Sequence, residues 1–285
     1  MKVSGKEVAE AILKKLENEI QEKNLKPGLA IILAGQDPSS RIYVTNKIKA
    51  AQRIGVDAKL YEFTEDQKDK LLEKLDQLNK DSSVHGIIIQ HPVYPSWNYD
   101  ELLEKLDSKK DVDGFKIDSP YLGATALAIW EMLTAFAFKE GFSKTDEFLK
   151  DKNIVVVGQG RTAGGPFVKL LKEKGFNPEV VVKETENPDP IIKSGDVVVS
   201  ATGAKHVINK DNLKQGAYVI GVGVGKENID GEDKIYGDLK EDEVSEVAKL
   251  YCPTIGGIGP LTIVSLLENV IESAKGGERS KRPFE

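Results

Sequence analysis

The chain is poor in the residues that form disulfides or bind metals. Its 285 residues include a single cysteine, Cys252, and three scattered histidines, His85, His91 and His206. One thiol cannot form a disulfide within a chain, and these four side chains do not have the spacing of a metal site. The sequence therefore predicts neither a disulfide-stabilised fold nor a metal centre.

Long apolar runs and blocks of like charge are also missing. No apolar run approaches the roughly 18 residues of a membrane helix, and the opening MKVSGKEVAEAILKKLE is typical of an amphipathic helix rather than a signal peptide. Forty basic and 46 acidic residues give a net charge of −6 without a charged tail. We therefore expect a cytoplasmic protein that binds neither nucleic acid nor an anionic membrane.

Helical and strand patterns alternate along the chain. Val8, Ile12, Leu16 and Ile20 have helical spacing, and the short apolar run at 28–33 that follows suits a buried strand. Later strands are predicted at residues 58–63, 86–90, 154–157, 180–182, 196–200 and 217–222. Apolar strands separated by amphipathic helices indicate parallel sheets covered on both faces, and therefore an α/β protein.

The length favours two domains, because single cores seldom grow beyond about 250 residues. A polar segment at 138–152 precedes a new run of strand, glycine-rich turn and helix. We predict one α/β domain at residues 1–120, joined by a C-terminal helix at 261–285, and a Rossmann-type domain at 121–260. The last residues, 276–285, are expected to be frayed.

A glycine-rich turn follows the predicted strand at 154–157. Its spacing is G-x-G-x-x-x-G, and its residues of interest are Gly158, Gln159, Gly160, Arg161 and Gly164. Closely spaced glycines between a buried strand and a helix N-terminus allow backbone N–H groups to hold a dinucleotide pyrophosphate. A tight turn without a ligand is the alternative.

Three further strand ends belong to the same hypothesis. Lys183 and Glu184 follow the second strand of this domain. At this place an acidic residue would bind the ribose 2′-OH of NAD, and a basic residue would bind the 2′-phosphate of NADP. Because both kinds of residue are present, NAD and NADP both remain possible. Thr202, Gly203 and Gly223 end two more strands, where a nicotinamide ribose can approach the backbone. Ordinary loop glycines are the alternative.

A helix after residues 34–38 carries the second candidate site. Ser40, Tyr43 and Lys47 stand at i, i+3 and i+7, so one helix face presents a hydroxyl, a phenol and an ammonium. A lysine beside a tyrosine in a cleft can donate or accept a proton, whereas a solvated surface lysine is the alternative.

Two short segments add polar groups to this site. Gln90 ends the apolar strand 86–90, at the sheet edge where open α/β proteins bind ligands. Asp111 and Asp113 lie just before the turn glycine Gly114, and a turn cap is the expected role of one of them.

These residues resemble the bifunctional methylenetetrahydrofolate dehydrogenase/methenyltetrahydrofolate cyclohydrolase family of one-carbon metabolism. Residues 40–49 are similar to the family's S-x-x-Y-V-x-x-K-x-K motif, Gln90 and Pro92 to V-Q-x-P, 111–115 to D-V-D-G-F, and 253–262 to P-x-x-G-G-V-G-P-M-T. The four motifs stand in the family's order and span nearly the whole chain.

The resemblance implies oxidation of 5,10-methylenetetrahydrofolate with NADP and then hydrolysis to 10-formyltetrahydrofolate, in one cleft between the domains of a homodimer. It implies that Lys47 assists proton movement under the influence of Gln90, that Asp113 binds the pterin, and that Tyr43 lies against the aminobenzoyl ring. Ser40 is expected to help position Lys47. It also assigns Ser40, Gly257, Pro260 and Leu261 to the folate, and Thr125 and Thr262 to the cofactor.

The chain departs from the family in three places. Residues 123–126 keep only Thr125 of the P-C-T-P loop, and Ile255 replaces the second proline of the last motif. Gln159 and Gly160 stand where the family's turn has arginine and serine. That arginine meets the 2′-phosphate in many members, and Arg161 and Lys183 are the basic residues that could take over this contact here. NADP is the expected cofactor, with NAD second.

Two other classes stay open at this point. A shikimate-dehydrogenase-like oxidoreductase also joins a small α/β domain to a nucleotide domain and uses a lysine. A non-catalytic nucleotide-binding protein is the other alternative. The order of Tyr43, Lys47, Gln90 and Asp113 along the chain favours the folate enzyme over both.

Overall fold

The computed structural model describes residues 1–229 and 231–276. Its contacts divide the chain into two units. Within the described residues, the N-terminal unit comprises 11–124 and 263–276, and the central unit comprises 1–10 and 125–262. Residues 1–10 group with the central unit because Val3 donates its N–H to the Tyr251 carbonyl at 2.8 Å. Among the described residues, no helix has the length and apolar composition needed to cross a membrane.

Helices and strands alternate through the first 110 residues. They are α1 (Gly5–Glu22), β1 (Gly28–Leu33), α2 (Pro38–Arg53), β2 (Asp57–Glu62), α3 (Lys68–Lys80), β3 (Gly86–Gln90) and α4 (Tyr99–Lys105), with 3₁₀ turns at Glu65–Gln67 and Ser108–Lys110. The strands form a parallel sheet in the order β2-β1-β3. All six residues of the central strand β1 are buried, whereas the edge strand β2 is largely exposed or half-buried.

The core of the N-terminal unit fills the space between this sheet and α3 and α4. Its buried members are Ala30, Ile32, Ala34, Leu71, Leu75, Leu78, Ile87, Ile89, Tyr94, Trp97, Leu102, Leu103 and Leu106. The parallel register pairs Leu33 with Gln90, so β1 and β3 end side by side. The loop that leads into α2 therefore starts next to Gln90.

The remaining elements follow the same alternation. They are α5 (Ala124–Lys139), α6 (Thr145–Leu149), β4 (Ile154–Val157), α7 (Gly164–Glu173), β5 (Glu179–Val181), α8 (Pro188–Ser194), β6 (Val197–Ser200), β7 (Tyr218–Gly221), β8 (Val224–Ile229), β9 (Glu232–Gly237), α9 (Glu241–Val247), β10 (Leu250–Cys252) and α10 (Ile258–Ala274). Five strands form a parallel sheet in the order β10-β7-β6-β4-β5, and β8 and β9 form an antiparallel hairpin.

The three middle strands of this five-stranded sheet, β4, β6 and β7, are buried at every residue. Their continuous apolar sequences are those of strands covered on both faces. The register places Val157 beside Ser200 and Ser200 beside Gly221. Three strands therefore end together at one edge, and the predicted α/β fold with parallel sheets is confirmed.

The sequence did not predict the hairpin or the short strand β10. The hairpin strands are mostly exposed and charged, so they lack the apolar signal of a buried strand.

The six strands predicted after β1 lie within one residue of their observed limits, whereas α10 begins at Ile258, three residues before its predicted start. Pro260 fits there because the first turn of a helix has no internal acceptor for its N–H groups. The predicted fraying falls almost entirely outside the described residues.

The C-terminal helix packs with the N-terminal unit from residue 263 onward. The Asn269 side chain donates to the carbonyls of Val112 (2.8 Å) and Leu122 (3.0 Å). The Ser273 hydroxyl donates to the His85 carbonyl at 2.6 Å. Backbone carbonyls that would otherwise be buried without partners are thus satisfied by α10.

Candidate active site

A hydrogen bond joins Lys47 of α2 to Gln90 at the end of β3. Lys47 Nζ donates to Gln90 Oε1 at 3.0 Å, and the lysine is only 8% exposed. Gln90 Nε2 in turn donates to the His91 carbonyl at 2.8 Å, which orients the amide oxygen toward the ammonium. Because a buried ammonium is unfavourable unless it is hydrogen-bonded, this pair fixes where Nζ lies.

Ser40 anchors the start of α2 instead of contacting Lys47 directly. Its N–H and its hydroxyl donate to Asp37 Oδ2 at 2.8 and 3.0 Å, and the hydroxyl also lies 3.4 Å from the His91 carbonyl oxygen. Asp37 is the N-cap of α2, followed by Pro38. Ser40 therefore acts on Lys47 through the position of the helix. The Asp-Pro pair was the sequence signal for this cap.

Tyr43 stands one turn before Lys47 and is 47% exposed. Its neighbour Ile42 is also exposed. A half-exposed phenol ring offers an apolar face with a polar end, which suits stacking against an aromatic ligand. The three residues predicted to share a helix face thus divide into a buried pair, Ser40 and Lys47, and an exposed ring.

Asp111 and Asp113 have different environments on one loop. Asp111 is 1% exposed, and its Oδ2 accepts the Lys116 N–H at 2.7 Å. Its carbonyl accepts from Gly114 N and from the Ser119 hydroxyl. Gly114 has φ +69°, and a Cβ there would lie 2.7 Å from Gly123 N, so the turn requires glycine. Asp111 is therefore the turn cap, while Asp113 is half-buried beside it.

Burial dominates the titration of Asp111. It raises the pKa of this carboxyl from 3.8 to about 6, although the Lys116 N–H opposes the shift. Lys116 also anchors the far side of the loop, since its Nζ donates to the carbonyls of Leu106 at 2.7 Å and Leu103 at 3.2 Å, at the C-terminal end of α4. The loop that carries Asp113 is thus held at both ends.

The central unit contains the glycine turn between β4 and α7. Gly158 has φ +90°, and a Cβ there would lie 2.6 Å from the Ala201 carbonyl oxygen. A Cβ at Gly164 would lie 1.9 Å from the Gly158 carbonyl oxygen, whereas one at Gly160 would meet nothing within 4 Å. The N-cap residue of α7 is Ala163, whose methyl side chain accepts no hydrogen bond from the helix N–H groups. Close backbone packing with open space above Gly160 fits a dinucleotide pyrophosphate.

The charged residues around this turn are on the surface. Arg161 lies in the turn, and Lys183, Glu184 and Glu186 follow β5; all four are exposed. The chain is bent after β5 by a hydrogen bond from Val182 N to Thr185 Oγ1 at 2.9 Å. Because the side chains of Arg161 and Lys183 are exposed, neither has to leave a buried position to contact a phosphate.

The structure brings Thr202, Gly203 and Gly223 together at the ends of β6 and β7. A Cβ at Gly223 would lie 2.2 Å from Gly203 N. The residue between these loops is Asp238, which the sequence analysis missed because nothing local in the sequence distinguishes it from the other acids. It accepts hydrogen bonds from Thr202 and Gly223.

The segment before α10 packs tightly. A Cβ at Gly257 would lie 1.9 Å from the Pro253 carbonyl oxygen. Leu261 is fully buried, and the Thr262 hydroxyl donates to the Ile258 carbonyl at 3.1 Å. Thr125 is half-buried near the start of α5.

Gly164→Ala should destabilise the protein, because the clashing atom is a backbone oxygen that cannot rotate away. Overpacking of this kind costs about 1–3 kcal/mol of unfolding free energy. Denaturant unfolding measures it, with Gly160→Ala as the matched control because its methyl group enters open space. Equal stability of the two variants would contradict the geometry of the turn.

Asp111→Asn should remove a pH dependence of stability. A carboxyl with a raised folded-state pKa stabilises the fold below its unfolded pKa of 3.8, and that contribution is lost as pH rises through about 6. Between about pH 4 and about pH 7 the wild type should lose about 2 kcal/mol of unfolding free energy relative to the variant.

Denaturant titrations across this range test the prediction, and Asp118→Asn is the control of opposite sign. The Ser108 hydroxyl lowers the pKa of the exposed Asp118 carboxyl, so its contribution is present at higher pH and lost on acidification. Parallel pH profiles for wild type and Asp111→Asn would show that Asp111 does not titrate in this window.

Comparison with known proteins matches both units. The family model described as the catalytic domain of tetrahydrofolate dehydrogenase/cyclohydrolase matches residues 3–113, and the model of its NAD(P)-binding domain matches residues 124–278. The bifunctional protein FolD of Caldanaerobacter subterraneus is 32% identical over 283 residues, covering 98% of this chain and 99% of the relative.

Solved structures agree over the same length. The bifunctional FolD dehydrogenase/cyclohydrolase of Campylobacter jejuni superposes with a TM-score of 0.86 at 30% identity, covering 97% of this chain and 99% of that chain. The Trypanosoma brucei FolD, complexed with NADP cofactor and inhibitor, has a TM-score of 0.86 at 27% identity, covering 98% and 99% of the two chains.

Proposed function

The chain belongs to the tetrahydrofolate dehydrogenase/cyclohydrolase family, and we propose that its Lys47–Gln90 pair moves the protons in the family's hydrolytic reaction. The enzyme oxidises 5,10-methylenetetrahydrofolate to the methenyl compound with NADP and hydrolyses the product to 10-formyltetrahydrofolate. The observation that carries the catalytic assignment is the buried Lys47 Nζ bonded to Gln90 Oε1 at 3.0 Å.

Binding and orientation are the protein's main contributions to the oxidation. Bound NADP supplies the acceptor for the hydride that leaves the bridging carbon. Hydride transfer depends on alignment more than on an acid or base. In this proposal Asp113 accepts hydrogen bonds from the pterin N–H groups, and Tyr43 packs against the aminobenzoyl ring.

The hydrolysis needs proton movement, and Lys47 is the group proposed to provide it. Water adds to the amidinium carbon of the methenyl cation and loses a first proton. The resulting hydroxyl loses its remaining proton to become the formyl C=O, while the bond from that carbon to a ring nitrogen breaks and the nitrogen gains a proton, so one proton is released overall. Gln90 Oε1 accepts one N–H of the Lys47 ammonium, so the other two N–H groups point in fixed directions. A nitrogen held in this way can pass a proton between the water and the leaving nitrogen.

Glycines and helix α7 are proposed to hold the cofactor phosphates. Gly158, Gly160 and Gly164 provide the close backbone approach, with Gln159 and Arg161 beside them. The nicotinamide ribose is assigned to the loops carrying Thr202, Gly203 and Gly223, and the 2′-phosphate to Arg161 or Lys183. Thr125 and Thr262 are further proposed cofactor contacts, and Ser40, Gly257, Pro260 and Leu261 are proposed to bind the folate.

Two family properties are carried over as proposals, a homodimeric assembly and a cytoplasmic location. The full-length match supports the folate reading over the two alternatives. A shikimate-dehydrogenase-like enzyme or a non-catalytic nucleotide-binding protein would give no methenyl product from methylenetetrahydrofolate.

Incubation with methylenetetrahydrofolate and each nicotinamide cofactor tests the function, with reduced cofactor and methenyl absorbance followed separately. We expect both signals in the wild type. Lys47→Met should lower cyclohydrolase kcat by about 100-fold or more, the usual contribution of a proton-transfer group. NADP affinity should be unchanged, because Lys47 belongs to the N-terminal unit and the glycine turn to the central unit.

Lys70→Met is the matched control, since Lys70 is an exposed lysine on α3 of the same unit. Normal cyclohydrolase activity in Lys47→Met would remove Lys47 from the mechanism. A wild type that forms no methenyl product would refute the function itself.

Cofactor preference tests where the 2′-phosphate binds. We expect NADP to be preferred, and we expect Arg161→Ala or Lys183→Ala to reduce that preference by about tenfold, because charge-assisted hydrogen bonds contribute about 1.5–3 kcal/mol. The measurement is kcat/KM for NADP and for NAD in each variant. Lys172→Ala, an exposed lysine in the last turn of α7, is the control.

Two results would contradict this placement. A strong NADP preference that neither substitution reduces would put the phosphate elsewhere. An outright preference for NAD would mean that Glu184 and Glu186 determine the cofactor preference by repelling a 2′-phosphate.

A further inference from the structure

A buried carboxylate links the ends of two strands in the central unit. Asp238 follows β9 directly and has no exposed surface. Its Oδ2 accepts hydrogen bonds from Ser200 Oγ (2.8 Å), Thr202 N (2.9 Å) and Gly223 N (3.2 Å). Its Oδ1 accepts one from Thr202 Oγ1 at 2.9 Å. The carboxylate thus binds four donors from two loops.

These donors account for the burial of the charge. A carboxylate removed from water is costly unless hydrogen bonds replace its hydration, and bonds to an ionised acceptor are the strong ones. Asp238 N also donates to the Gly223 carbonyl at 3.1 Å. The Thr202 hydroxyl, which donates to Asp238, accepts from Ala204 N at 3.0 Å, so the network continues along the loop.

The loops approach each other closely only because glycine stands at both contacts. A Cβ at Gly223 would lie 2.6 Å from each Asp238 carboxylate oxygen. Gly203 has φ +71°, a backbone conformation that favours glycine. The Asp238 carboxylate therefore accounts for the glycine at position 223, and the backbone conformation accounts for the glycine at position 203, whether or not a ligand binds there.

The same loops adjoin the glycine turn. Ala201 N donates to the Val157 carbonyl at 2.7 Å, and a Cβ at Gly158 would lie 2.6 Å from the Ala201 carbonyl oxygen. Ser200, the last residue of β6, lies between Val157 of β4 and Gly221 of β7. Asp238 therefore lies at the carboxyl edge of the parallel sheet, where open α/β proteins bind their ligands.

We propose that Asp238 is a positioning residue for the nicotinamide half of the cofactor. It holds loop 201–203 against loop 222–223, so that both backbones keep one spacing before the cofactor binds. A pre-ordered site avoids the cost of fixing two loops on binding. The inference rests on the proposed function in assigning these loops to the cofactor, and Asp238 acts through them without touching it.

Three substitutions test whether Asp238 acts by holding the two loops, by its negative charge or only by stabilising the fold. Asp238→Ala removes every acceptor. Asp238→Asn keeps an oxygen for three donors, and its NH₂ can donate to the Thr202 hydroxyl, which has two acceptor lone pairs. Ser200→Ala deletes one hydrogen bond to the carboxylate at a fully buried residue. Asp233→Ala, at an exposed carboxylate of the same hairpin, is the control.

Fluorescence titration with NADPH measures affinity without turnover, and steady-state kinetics give KM and kcat separately. We expect Asp238→Ala to weaken NADPH binding and raise KM for NADP by about tenfold or more, Ser200→Ala by about threefold, and Asp238→Asn to recover most of the loss. Cyclohydrolase activity on the methenyl compound, which uses no nicotinamide, should be unchanged in all of them, as should folate KM.

Three outcomes would overturn the proposal. They are unchanged NADPH affinity in Asp238→Ala, a cyclohydrolase loss that matches the affinity loss, and an Asp238→Asn variant as defective as Asp238→Ala. A wild type that binds NADPH but does not oxidise methylenetetrahydrofolate would refute the proposed function instead, and the titrations would still test Asp238.

Discussion

Parallel pairing of strands determines where each unit can place its polar side chains. All strands of a parallel sheet run in the same direction, so their carboxyl ends lie at the same edge of the sheet. In the N-terminal unit this brings Gln90 beside Leu33, and so beside the loop that begins α2. In the central unit it brings the glycine turn after Val157 beside Ser200 and Gly221. Both candidate sites are therefore consequences of sheet register.

Uncharged hydrogen-bonding groups hold the buried charges of these sites. Lys47 is bound by an amide, Asp111 by the N–H of Lys116, and Asp238 by two hydroxyls and two N–H groups. An amide or a backbone group has a fixed position and does not exchange partners as exposed ion pairs do. The charged atom consequently keeps one location, which is what orientation-dependent chemistry requires.

The glycine turn after β4, which is the proposed phosphate site, depends on backbone contacts more than on its side chains. Contacts through backbone N–H groups depend on the path of the chain and not on side-chain identity. Gly158 and Gly164 preserve that path through contacts that exclude a Cβ. We therefore expect the replacement of the family's arginine and serine by Gln159 and Gly160 to affect the binding of a 2′-phosphate more than the binding of a pyrophosphate. The carboxylate of Asp238 supports the neighbouring loops in the same indirect way.

The sequence by itself determined the α/β class, the buried strands other than β10 and the glycine turn, because apolar periodicity and glycine spacing are local properties. It placed Lys47 and Gln90 in one site only through the order of the motifs. The hairpin of β8 and β9 escaped prediction because its exposed, charged strands lack that periodicity. Only the tertiary structure decided that Asp111 caps its turn, since the sequence places both aspartates within three residues of Gly114 and either could be the cap. It alone decided the partners of Asp238, since they lie 15 to 38 residues away in sequence and meet only when β6, β7 and the hairpin are in place.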